Sequence, residues 1–347
     1  MRVVEPTATT VVSLVLLRLV CILGLAVALP ALRADEVVWH ACETAEVEHG
    51  DLKVLFRDNS QSPRVLSGAD QLFNRRHAGD FDAFDPDSPG ASAGLNFEHI
   101  IAGHSSPNNP FTPRHHRYAL YKAADQPSVR LVRDEEDDPW RMSSTLVYTL
   151  GEPHYVDLEF RCRAHDPQLF GNRGYGVLFF ANYMNDVERV ALNFLGHEAE
   201  GDMEHWIAAD APGGHADYNG GGTYRFATAP ALEYDPDHNF KLNLWSYEWP
   251  RFTEPFYYVN AARGMTLIMM FDKSYSAEDE IRFSLFKFKL NKFPRPACDW
   301  QYVIHKVQAG HEYGFRARLV WKKFVSADDC RHEYERWAAQ LTVAQAR

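Results

Sequence analysis

Three histidine-bearing stretches hold the side chains with the greatest chemical reach. The first is Glu98-His99-Ile100-Ile101-Ala102-Gly103-His104, followed by Arg114-His115-His116-Arg117. The second runs from Gly196 through His197, Glu198, Glu200, Asp202, Glu204 and His205 to Trp206, and the third is Gly213-Gly214-His215-Ala216-Asp217-Tyr218 ahead of Gly220-Gly221-Gly222. Imidazole titrates near neutral pH, and a carboxylate beside it supplies the second partner of a proton transfer. His104, His197, Glu198 and His215 are therefore the candidate acid and base groups. Other chemistries lack their signatures: there is no HExxH pair for zinc, no GxSxG elbow and no Walker loop. Gly171-Asn172-Arg173-Gly174-Tyr175-Gly176 precedes a strand pattern with no helix after it, which excludes a dinucleotide fingerprint and leaves a tight turn presenting Arg173. No metal site is assigned. Carboxylates and carbonyls of the loops leave calcium open as a stiffening ion, and Asp80 to Asp87, though acidic, lacks EF-hand spacing.

A ligand class is suggested by Asn239 to Trp249. Phe240, Leu242 and Leu244 alternate with Lys241, Asn243, Trp245, Tyr247 and Trp249, so a strand here would have an apolar face and an aromatic, polar one. Pyranose rings lay their C–H surfaces on aromatic rings and give their hydroxyls to amides, carboxylates and cations. Trp206, Trp245, Tyr247 and Trp249 are the expected stacking residues, with Arg117 and Arg173 able to hold a carboxylate in two-pronged fashion. Burial of the same tryptophans in a second core layer is the competing reading. Alternation sends Glu248 to the face opposite Trp249, which ranks it below Glu198.

The elements that must position these residues read as strands. His154 to Arg163 is the cleanest, with Val156, Leu158, Phe160 and Cys162 on one face and Asp157, Glu159, Arg161 and Arg163 on the other. Tyr175 to Ala181 is almost continuously apolar, as in a strand buried on both faces. Ser144–Leu150, Arg189–Leu195, Thr223–Ala227, Phe256–Val259, Met265–Phe271, Ile281–Leu290, Gln301–His305 and Glu312–Phe324 follow, punctuated by Gly, Pro, Asn and Asp. Residues 68–117 show little periodicity and read as a long loop-rich part. Ser326 with Asp329 forms a capping box ahead of Cys330, Tyr334, Trp337, Ala338 and Leu341 at helical spacing. The expected fold is all-β: a large antiparallel sandwich of roughly a dozen strands with one C-terminal helix packed outside.

Val11 to Leu29 is apolar apart from Arg18, and small residues end at Ala34 before Asp35, which reads as a cleaved secretory signal over residues 1–34. Residues 35–347 then form a single domain, secreted or periplasmic. Cleavage removes three arginines against one glutamate and takes the formal charge from −11 to about −13, which argues against nucleic acid or an anionic membrane as partner. Export permits disulfides among Cys42, Cys162, Cys298 and Cys330, with Cys298–Cys330 the favoured pair. The sequence specifies no oligomeric state.

With its strands and histidine loops, Tyr118 to Phe324 resembles the large secreted sandwiches of carbohydrate-active bacterial proteins, the galactose-mutarotase-like supersandwich in particular. The resemblance is one of architecture and carries over no individual residue. It implies a site on the concave face of a sheet where histidines and a carboxylate act on a sugar ring by hydrolysis, elimination or epimerisation. The alternative is a non-catalytic glycan-binding or envelope-associated module using the same aromatic face.

Overall fold

The computed structural model describes residues 37–60, 66–85, 94–103, 112–210, 220–236, 248–275, 278–287 and 295–345. In chain order the strands are β1 (Trp39–Cys42), β2 (Thr44–His49), β3 (Leu52–Arg57), β4 (Gly68–Asn74) and β5 (Asn96–Ala102), then the short helix α1 (Thr112–His115). There follow β6 (Ala119–Ala123), β7 (Ser128–Arg133), β8 (Met142–Gly151), β9 (Tyr155–Ala164), β10 (Gly176–Ala181), β11 (Ala191–His197), β12 (His205–Asp210) and β13 (Gly220–Tyr224). The last are β14 (Arg251–Phe252), β15 (Phe256–Ala261), β16 (Met265–Phe271), β17 (Glu280–Lys287), β18 (Ala297–Ile304) and β19 (Glu312–Lys323), before helix α2 (Ala327–Gln345).

These strands build a large antiparallel sheet in the order β1-β6-β7-β8-β9-β19-β16-β15-β11-β12, with β14 paired to β11. A five-stranded sheet, β13-β17-β18-β10-β5, faces it, and β2-β3-β4 form a third. Strict alternation on β8 and β9 turns Leu146, Tyr148, Val156, Leu158 and Phe160 into the core while their neighbours face outward. Across the core, Phe180 of the small sheet meets Phe160 at 5.0 Å and Phe315 at 5.1 Å, edge to face. The third sheet closes one side, Phe56 lying 5.0 Å from Tyr148.

The run Met-Thr-Leu-Ile-Met-Met-Phe of β16 is apolar throughout because both its faces are covered. Leu267, Met269 and Phe271 enter the main core, while Ile268 and Met270 lie under α2 with Phe256, Cys330 and Trp337. The Ser326 Oγ accepts the Asp329 amide at 3.1 Å, so α2 starts at the expected cap and packs outside the sandwich, as expected.

Two expectations are corrected, and a third falls largely outside the described residues. The loop-rich reading of residues 68–117 misses β4 and β5, because β5 is buried along its whole length and so shows no alternation. No disulfide forms: all four cysteines of the described residues are free thiols. Cys298 faces the core between the sheets and Cys330 the layer beneath α2, so the large sheet separates the favoured pair. The strand expected over Asn239–Trp249 lies outside the described residues except for Glu248 and Trp249, which occupy a bend ahead of β14.

Candidate functional site

The outer face of the five-stranded sheet, turned away from the main core, holds a concentration of buried polar groups. On β18, Cys298, Trp300 and Tyr302 point inward, which sends Asp299 and Gln301 outward. On β17, Phe283 and Leu285 point inward and Arg282 and Ser284 outward. Register then aligns Arg282, Gln301, Phe179 and His99 in one row across four strands. Beside it Thr223, Ser284 and Asp299 form a second row. Gln301 Nε2 donates to Thr223 Oγ1 at 3.3 Å, and Asp299 Oδ1 accepts the Asn182 amide at 3.1 Å.

A bulge in β5 enriches this face. His99 pairs with Phe179 and Phe97 with Phe180, so Glu98 is the extra residue. Phe97 stays in the core, stacked on Phe180 at 4.9 Å, and the His99 ring stacks on Phe179 at 4.2 Å. Arg114, delivered by α1, places Nη2 2.7 Å from Glu98 Oε1 and donates to Tyr183 Oη at 2.9 Å, while Tyr183 Oη itself donates to Glu98.

The two carboxyls of this cluster are tuned in opposite directions. Burial alone would raise the pKa of Glu98, but the Arg114 charge and hydrogen bonds from His99 and Tyr183 hold it down at about 2. Burial pushes Asp299 well above the usual carboxylate range, and the charge of Glu98 pushes it further. Burial also lowers His99, against the pull of Glu98. The face thus sets a carboxylate that holds its charge beside one whose charged form is disfavoured, next to an imidazole whose charged form is disfavoured too, and carboxyls pushed apart in this way separate a base from an acid.

At the other end of the rows Glu280 takes two bonds from Arg282, both 2.9 Å, and one from Arg225 at 3.1 Å, with His305 Nε2 3.3 Å away. Burial opposes ionisation of Glu280, but His305 and the two arginines hold its pKa at about 2. Arg225 reaches out to Glu248 at 3.7 Å, and Glu248 also pairs with Arg251, whose guanidinium lies 5.2 Å over the Trp249 ring. Trp249 in turn lies 5.2 Å from the His197 ring.

Of the residues singled out from the sequence, His197 and Trp249 come together at this rim. His197 ends β11, half-buried, and Glu198 follows it, exposed. The alternation argument against Glu248 does not apply to a bend, and Glu248 joins the same rim. Trp206 sits on β12 and packs on Phe256 at 6.0 Å and Tyr258 at 5.7 Å, in the layer beneath α2, so its aromatic surface serves packing. Arg173 pairs with Glu233 and, at 3.4 Å, with Asp235, and the positive φ of Gly171 and Gly174 makes the tight turn around it. Arg117 is exposed beyond α1, its carbonyl accepting from Arg133. His104, His215, Trp245 and Tyr247 lie outside the described residues. Among the described residues no three His, Cys, Asp or Glu side chains converge as metal ligands.

Glu98 was visible in sequence only as part of a histidine loop. Asp299, Gln301, Glu280 and Arg282 stand at alternate positions in strand patterns, and that period-two polarity was the signal available for them.

Fold and site together define an all-β sandwich whose smaller sheet has an ionisable outer face. No family model matches the chain, and no curated protein matches it in sequence. Among solved structures the chain is similar to a GalM/aldose epimerase homologue from C. elegans, at 14% identity and TM-score 0.44, over 82% of this chain and 100% of that one. It is also similar to a galactose mutarotase related enzyme from Lactobacillus acidophilus, at 7% identity and TM-score 0.38, over 81% and 97% of the two chains. An alpha-galactosidase from Lactobacillus brevis aligns at 10% identity and TM-score 0.34, over 83% of this chain and 40% of that one. At such scores the likeness assigns neither a family nor an activity.

Proposed function

We propose that this protein is exported after cleavage before Asp35 and acts on a sugar ring at the outer face of the five-stranded sheet. The observation that carries the reading is the opposed tuning of Glu98 and Asp299 on one face. Epimerisation at the anomeric carbon suits them better than hydrolysis, since the pair is almost wholly buried and the reaction consumes no water. Glu98 takes the anomeric hydroxyl proton while Asp299 gives its proton to the ring oxygen, and the bond from that oxygen to the anomeric carbon breaks. Reclosure on the other face of the carbonyl returns both protons. Gln301, Thr223, Ser284 and Arg282 supply donors and acceptors to the remaining hydroxyls, and Trp249 with His197 forms an outer stacking edge.

The test is polarimetric mutarotation of a panel of free sugars by residues 35–347, beside Asp299→Asn, which keeps the side-chain shape. The rate constant is expected to fall by about 10²–10⁴, the usual share of a positioned acid, with the fold retained by circular dichroism. An Asp299→Asn variant as fast as the parent would refute the assignment. The second reading, a glycan-binding module, is favoured by the partly exposed Trp249 with Arg251 over its ring. It gains if Trp249→Ala loses glycan binding while no sugar is turned over.

A further inference from the structure

A cleft away from that face is lined by residues of both sheets, at the end of β16, the starts of β17 and β19, and Tyr302 of β18. It has two joined chambers. The narrower, about 250 Å³, is walled by Phe226, Phe252, Phe271, Phe315, Ile281 and Pro230. The wider, about 460 Å³, is lined by Glu278, Asp279, Glu312, His311, Tyr275 and Tyr313. Tyr275, Asp279, Tyr302 and Gly314 border both.

The junction is built rather than left over. Tyr302 Oη donates to Asp279 and accepts the Gly314 amide at 3.0 Å. Gly314 has no side chain to spare room for, since a Cβ there would meet the Phe160 carbonyl oxygen at 2.2 Å and the Tyr275 ring at 3.3 Å. Tyr275 is held upright, its ring under the guanidiniums of Arg316 at 5.0 Å and Arg161 at 5.8 Å and its hydroxyl bonded to Glu159 at 3.3 Å. Lys273 lies across the opening with Nζ 4.7 Å over the Phe226 ring.

We infer that this cleft is a second ligand site, for a glycoside whose apolar aglycone fills the phenylalanine chamber and whose sugar occupies the tyrosine and carboxylate chamber. The narrow chamber lies just below the roughly 300–1,000 Å³ of drug-sized pockets, so it has space for about one ring. Four phenylalanines, Ile281 and Pro230 offer that ring broad dispersion contacts, and although Asp272, Lys273 and Tyr302 also border the space, the aromatic walls favour an aryl or short alkyl group over a sugar there. The wide chamber reverses the balance, with the carboxylates of Glu278, Asp279 and Glu312 beside three tyrosine rings whose hydroxyls are bonded to the protein. Glu312 is already paired with Arg161 at 2.6 Å, which compensates its charge, and Asp279 takes the Tyr302 hydroxyl while keeping lone pairs for further hydroxyl donors. The identity of the head as a sugar rests on the carbohydrate reading above, while the amphipathic shape does not.

The experiment is isothermal titration of residues 35–347 with phenyl and methyl β-glucoside, phenyl and methyl β-galactoside, benzyl alcohol and phenethylamine. Thr228→Trp, at an exposed position on the narrow chamber, and Asp299→Asn are titrated in parallel. A phenyl glycoside of at least one configuration is expected to bind tenfold or more tighter than its methyl counterpart and than benzyl alcohol. Thr228→Trp should abolish that preference and Asp299→Asn should leave it intact. Absence of the phenyl preference overturns the inference even where Asp299→Asn has lost turnover and the proposed function stands. Phenethylamine binding as tightly as the glycoside, or a phenyl preference untouched by Thr228→Trp, overturns it too. A Thr228-dependent phenyl preference in a protein that turns over no sugar would uphold this site and refute the enzymatic reading.

Discussion

Glu98 and Asp299 make opposite demands on the folded protein as pH changes. Glu98 has its pKa at about 2 in the fold, below the roughly 4.3 of an unfolded chain. Its contribution to stability is therefore present above about pH 4.3 and is lost as pH falls towards 2. Asp299 is raised above its unfolded value near 3.9, so its contribution is present below that pH and is lost as pH rises. Asp299→Asn removes the second dependence. Its melting temperature should match the parent's near pH 4 and exceed it increasingly towards pH 8, as read by thermal melts across that range. Glu98→Gln should do the reverse of help: it strands the Arg114 guanidinium, and breaking a buried pair costs about 3–5 kcal/mol, measurable by urea unfolding at pH 7. The side chains named first from the sequence were histidines, because imidazole advertises itself by type. The buried carboxyls could be recognised only by their surroundings, which β5's bulge and the packing of α1 create and no local spacing encodes.

Elements were legible in proportion to how one-sided their burial is. β8 and β9 alternate because one face is core and the other solvent, and α2 has both a period and a cap. β5 is covered on both sides, so its polar Asn96, Glu98 and His99 break any pattern, and β12 is an edge strand that follows directly from the histidine turn. The helix provides the test at this scale. Trp337 is buried between α2 and the outer face of the large sheet, whereas Ser326 only satisfies one amide. Trp337→Ala is expected to cost about 3–5 kcal/mol and Ser326→Ala about 1 kcal/mol in chemical denaturation. Equal losses would mean that the helix is held by its cap rather than by its packing.

For the molecule as a whole, cohesion comes from three sheets closing on a shared aromatic core, with no covalent cross-link among the described residues. Cys162, Cys298 and Cys330 are buried, and burial raises each thiol above its ordinary pKa, which keeps them in the unreactive protonated form. A reductant should thus leave the melting temperature of residues 35–347 unchanged, and alkylation after denaturation without reductant should label all four cysteines. A drop in melting temperature with reductant would show a cross-link.

The order of strands in the large sheet also governs when the protein can exist. β19 lies between β9 and β16 and is the seam that joins β1-β6-β7-β8-β9 to β16-β15-β11-β12. It is also the last strand to be made: Arg161 and Glu312, paired across that seam, stand 151 residues apart. A ribosome must release the chain through Lys323 before the two halves have anything to hold them in one sheet. Folding is thereby deferred until synthesis is nearly over and is slow for so non-local a contact. Until then β1-β6-β7-β8-β9 and β16-β15-β11-β12 are two separate sheets, each with an open edge where β19 will insert.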